Sequence, residues 1–181
     1  FMASAIAVHR LGEDLRAAVL YEQCFETENE RTLPLHELRD IYARQGKLPE
    51  LVETLRRLLQ LGEGKLSANE QAALLFAMGE LFERLDEQGE GVKHYKESLA
   101  KSPAFLPARR ALIRALRAGE HWAEVAALLR NDADNESDNA RRYDVLIQLA
   151  ELTEWQLEKP DESIALLEEA WKIEPGRSTA S

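Results

Sequence analysis

The chain has 181 residues, 45% of them hydrophobic and 31% charged, with nine glycines and six prolines. That balance supports a packed core and excludes a disordered chain, and so few turn formers exclude a protein of many short strands. The net charge of −10 repels phosphate backbones and argues against nucleic acid as a partner, and with Cys24 the only cysteine no internal disulfide can form.

Leu, Ala, Glu and Arg, all good helix formers, outnumber Val, Ile and Thr, so the expected class is all-α. No apolar run approaches the ~18 residues of a membrane helix. The early ASAIAV stretch is too short for a signal-peptide core and has no basic flank. A lone cysteine fits a reducing compartment, and the expected address is cytoplasmic.

Along the chain, apolar residues recur at spacings of three and four. Short breaks fall at residues 10–14, 44–50, 85–91, 117–121 and 157–162, and they predict ten helices in five antiparallel pairs. The first segment, 1–31, keeps Ala17, Tyr21 and Cys24, with Cys24 in a small slot between helices that suits a buried, inert thiol. The second, 32–65, holds Leu35, Leu38, Tyr42, Gly46 and Leu55, and Pro49 opens its second helix. In the third, 72–105, Leu74, Leu75, Met78, Leu81, Phe82 and Leu85 form one stripe, followed by Gly91, Tyr95, Ser98 and Pro103. The fourth, 106–138, keeps Gly119, Val125 and Leu129. The fifth, 143–176, ends in Ser163, Leu167, Ala170 and Pro175, with one extra residue in its turn. Residues 177–181 are polar and expected to be a mobile tail.

The segment from Ala72 to Phe105 resembles the tetratricopeptide repeat, a helix–turn–helix unit of about 34 residues. Leu75, Met78, Gly79, Phe82, Gly91, Tyr95, Ser98 and Pro103 match its large, small and proline slots. Small residues belong where the paired helices nearly touch, and large ones fill the space between them. Pro103 ends the second helix, since a proline disfavours helix before it. The other segments match more loosely, and the resemblance spans residues 1–176 as one domain. It implies a right-handed α–α superhelix of about five pairs. A second period relates Leu33-Pro34 to Leu106-Pro107 and Gly46 to Gly119, so the array is expected to be an excerpt of a longer one built from double repeats.

Motifs of catalysis are weak. GEGKLS at 62–67 lacks the spacing of a phosphate loop and follows no strand. His9, His36, His94 and His121 share no ligand-like spacing, so no metal is expected. The carboxylates, Glu168 and Glu169 among them, are expected on solvated helix faces, and no acid–base pair stands out. No catalysis and no cofactor are expected.

Arg110, Arg114 and Arg117 share one helix face, with Arg109 beside them. In tetratricopeptide arrays the first helix of each pair lines a concave groove. On that resemblance Ala73, Phe76, Glu80, Glu83 and Arg84 point into it, joined by Glu151, Glu154 and Trp155. The groove is expected to take a partner peptide or helix through Phe76, Arg110, Arg114 and Arg117. Glu80, Glu83, Glu151 and Trp155 complete it. Alternatively the arginines pair internally with Glu80, Glu83, Glu151 and Glu154. A chaperone-binding subclass uses a Lys and Asn clamp; His36, Asp40, Arg110 and Arg114 stand there instead, so that specificity is not implied. Trp122 and Trp155 read as inter-helix packing, with Trp155 at the groove edge. Leu167 and Trp171 form an apolar end surface, which is the basis of the other expected role, a spacer or self-associating segment that joins repeat ends.

Overall fold

The computed structural model describes residues 14–27 and 33–175, all helix and turn. The helices are α1 (Asp14–Thr27), α2 (Leu33–Gln45), α3 (Leu48–Leu61), α4 (Ala68–Arg84), α5 (Gln88–Lys101), α6 (Leu106–Ala118), α7 (Trp122–Asn135), α8 (Asn139–Trp155) and α9 (Pro160–Ile173). The first of the ten expected helices and the expected tail lie outside the described residues. The chain divides into two compact units, one up to Arg109 and one from Arg110, with the boundary inside α6.

Local sequence explains the helix starts. Ser67 and Glu70 form a reciprocal capping box: the Ser67 hydroxyl accepts from the Glu70 amide, and the Glu70 carboxylate accepts from the Ser67 amide at 2.8 Å. The Asp138 carboxylate accepts from the Arg141 amide at 2.9 Å and caps α8. Pro49 and Pro160 sit in the first turns of α3 and α9, where a missing amide proton costs nothing.

In the first unit, consecutive helices from α1 to α5 pack on one another. Its core joins Ala17, Tyr21, Leu35, Leu38, Ile41, Leu55, Leu58, Met78 and Leu81. In the second unit α8 packs on both α7 and α9, around Ala133, Tyr143, Leu146 and Ala170. Small residues make the close approaches. A Cβ on Gly79 would stand 2.5 Å from the Tyr95 ring, and one on Gly91 would stand 3.2 Å from the Gly79 carbonyl oxygen. The buried Ser98 hydroxyl donates to the Ala72 carbonyl at 2.7 Å, and Ser163 donates to Ala150 at 3.0 Å. The small slots thus also bond one helix to its partner's backbone.

Each of the four turns inside a helix pair among the described residues contains one left-handed residue: Gly46 (φ 68°), Asp86 (62°), Glu120 (58°) and Glu158 (55°). The following amide closes the turn, as in Lys47 N–H to Tyr42 O at 3.0 Å and His121 N–H to Leu116 O at 2.9 Å. The fourth turn is wider by one residue, with Lys159 N–H reaching Thr153 O at 3.0 Å. Gly46 and Gly119 each directly follow their helix, but in the second of these turns the left-handed residue is Glu120, one position later.

Candidate functional site

The first unit holds a cleft of about 510 Å³ between α2, α3 and α4. Leu51, Leu55 and Leu81 are buried at it, with Ala43 and Ala77 beside them. Arg39, Asp40, Glu80, Glu83 and Arg84 supply its charges. Arg39 is engaged with Asp40 at 2.8 Å, whereas Glu80 and Arg84 form no ion pair among the described residues. Three expected groove residues, Glu80, Glu83 and Arg84, thus meet here. Phe76 does not line this cleft. It is half-buried against Tyr95 and Phe105, with ring centroids 5.8 and 5.9 Å away, so it serves the packing of its own unit.

In the second unit a cleft of about 490 Å³ is lined by Arg117 of α6, Trp122 of α7, and Gln148, Glu151, Leu152, Trp155 and Gln156 of α8 and its end. It brings together Arg117, Glu151 and Trp155, which lie far apart in sequence. Trp155 is 72% exposed, Trp122 is half-buried, and Leu152 is buried. Trp122, expected only as packing, is a wall of the cleft. Arg117 and Glu151 form no ion pair among the described residues, although they line the same space. Arg110 and Arg114 are exposed on the same helix as Arg117 but do not line the cleft, and Arg110 forms no ion pair among the described residues.

The internal arginine pairing of this unit lies elsewhere. Arg130 Nη1 donates to Glu169 at 2.6 Å and Arg142 donates to the same carboxylate at 2.9 Å, while Asp134 accepts from Arg130 at 2.7 Å. Glu169 is accordingly not a solvated carboxylate, as expected from sequence, but the joint of α7, α8 and α9. Hydrogen bonds from Arg130, then Arg142, hold its carboxyl below the ordinary value, against the burial that raises it. Only the Arg130–Asp134 spacing of four residues hinted at this in the sequence.

His94 is buried, stacked 4.9 Å from Phe82, and its Nδ1 lies 2.9 Å from the Glu90 carbonyl oxygen, a packing role. Cys24 is half-buried rather than enclosed. Among the described residues no three His, Cys, Asp or Glu side chains gather as a metal site, and no helix is long and apolar enough to cross a membrane. On α9, Ile164, Leu167 and Trp171 are 55%, 39% and 62% exposed; Leu167 and Trp171 are the two residues expected at an end surface.

Comparison with known proteins follows the fold. No family model matches the chain, and no curated protein resembles it in sequence. Solved structures do. YrrB, described as a TPR protein with an unusual peptide-binding site, aligns at 13% identity over 96% of this chain and 84% of its own, with a TM-score of 0.54. MamA from Desulfovibrio magneticus RS-1 aligns at 13% identity over 98% of this chain and 94% of its own, with a TM-score of 0.52. The TPR-like repeats of the Podosopora anserina putative kinesin light chain align at 20% identity over 98% and 95%, with a TM-score of 0.51. The chain has the tetratricopeptide-repeat fold, an all-α array of helix pairs.

Proposed function

We propose that this chain is a protein-interaction scaffold that binds an extended peptide or helix of a partner and does no chemistry of its own. The observation that carries this function is the second-unit cleft. It collects Arg117, Glu151 and Trp155 from two helices and leaves both charges without an ion pair. Charges held without an internal partner beside an exposed indole suit recognition, where a charged group on the partner completes them. The first-unit cleft offers a second seat, with a leucine floor and Glu80 and Arg84 at its edge. Rigid helices present both seats ready-made, which lowers the ordering cost of binding. The peptide-binding site ascribed to YrrB supports the function through likeness of fold.

Selection of peptides from a random display library tests the function. Peptides that bind the wild-type chain and are lost on Arg117→Glu or Trp155→Ala support it. Selected peptides indifferent to both changes refute it. Self-association through the exposed Ile164, Leu167 and Trp171 stripe is the competing outcome. It requires a mass that rises with concentration and returns to monomer with Trp171→Glu.

A further inference from the structure

We propose that the second-unit cleft receives a cationic side chain, lysine or arginine, of an extended peptide. This rests on the scaffold function above and adds the chemistry of the partner.

Two indoles, Trp122 and Trp155, line one cleft. Neither has an aromatic ring or a cation over it among the described residues. An indole face is negative and attracts a cation placed over it, and two faces with a carboxylate near them make a receptor for an ammonium or guanidinium group. The carboxylate is present: Glu151 lines the same cleft and forms no ion pair among the described residues. Trp122 also lines an adjoining hollow of about 390 Å³ with Glu120, His121 and Glu124. Glu120 likewise forms no ion pair among the described residues, and exposed Glu154 precedes Trp155 on α8. The indoles therefore stand among carboxylates, on a chain of net charge −10 that draws cations toward it.

Arg117 is the single cation lining the cleft. An acidic peptide would gain that one exposed, solvent-screened pair while setting its carboxylate beside Glu151 and the indole faces. A basic peptide gains Glu151 and both indoles together. Arg117 is then left to take a backbone carbonyl of the same peptide, and the amides of Gln148 and Gln156 offer further donors and acceptors to an extended backbone.

The test uses peptides selected by display on the intact chain, with affinities measured by calorimetry. The selected peptides are expected to share a lysine or arginine. Replacing that residue with neutral norleucine, and separately changing Glu151→Gln or Trp155→Ala, should each weaken binding about fivefold. Norleucine on Glu151→Gln should add less than its effect on the wild-type chain, since the two changes remove one interaction. Arg117→Gln should weaken the basic peptides less than Glu151→Gln or Trp155→Ala does, since it removes only a hydrogen bond to the peptide backbone. Peptides that need Trp155 but carry an acidic or neutral consensus, or that are lost only on Arg117→Gln, overturn the cationic assignment and leave the scaffold function standing. Peptides insensitive to Trp155, Glu151 and Arg117 overturn both. All three side chains are exposed, so loss of folding does not confuse the outcomes, and circular dichroism verifies this.

Discussion

Arg130 of α7 donates to Glu169 of α9 at 2.6 Å, and so ties two helices that are not neighbours in sequence. Arg142 of α8 completes the joint. Both ends of the main pair are partly exposed, so the network is worth about 1 kcal/mol rather than the value of a buried pair. Glu169→Gln should lower stability by about that amount in urea titrations. The folded-state pKa of Glu169 is lowered, so its contribution is whole above the ordinary value of 4.5 and fades as pH falls through the lowered value. The gap between wild type and Glu169→Gln should therefore close in acid. A gap that widens in acid would refute the assignment.

In the first unit the Tyr42 hydroxyl donates to Glu22 at 2.5 Å. Burial first, then the Glu22 hydrogen bond and charge, raise the Tyr42 pKa above its ordinary value of 10.0. The folded state thus holds this proton more tightly than the unfolded one. The stability from Tyr42 is complete below pH 10 and is lost as pH rises through the raised value. Phenolate absorbance should show a tyrosine ionising above the ordinary range, and Tyr42→Phe should diminish that late component.

Gly79 tests the close approach of α4 and α5. A methyl there meets the Tyr95 ring at 2.5 Å, and Tyr95 is fully buried and has no room to yield. Gly79→Ala gains about 1 kcal/mol of helix propensity but overpacks the interface. The expected net loss is about 2 kcal/mol. Gly89, with open space around it, serves as the control, because Gly89→Ala should be stabilising.

The left-handed turns make the opposite prediction. Glu158 holds φ at 55°, a conformation that costs a residue with a Cβ about 1–2 kcal/mol. Glu158→Gly should raise the melting temperature. Gly46→Ala, at the equivalent turn, should lower it.

The helix pairs were legible because their signals are local. Stripes at three and four residues, prolines in first turns and small residues at contact slots each record a nearby steric fact. The turns were less legible. Three of the four left-handed residues in the described turns within helix pairs are Asp or Glu rather than Gly, so glycine position does not mark them. The candidate site was legible in part. Arg117, Glu151 and Trp155 converge, but nothing in the sequence marks Trp122 as a cleft wall, because a tryptophan at a helix start looks the same whether it faces a neighbour or a cleft. The role of Glu169 is not legible in the sequence because its partners lie 39 and 27 residues away, beyond any local pattern.

The three tryptophans permit one decisive measurement. Trp122 and Trp155 line the second-unit cleft, whereas Trp171 lies on the α9 stripe. Their indole N–H signals should be followed by nuclear magnetic resonance as a display-selected peptide is added to the intact chain. Shifts of the Trp122 and Trp155 signals, with Trp171 unmoved, are the predicted result. Shifts confined to Trp171, or none at the two cleft indoles while the peptide binds, would contradict the scaffold function proposed for the cleft.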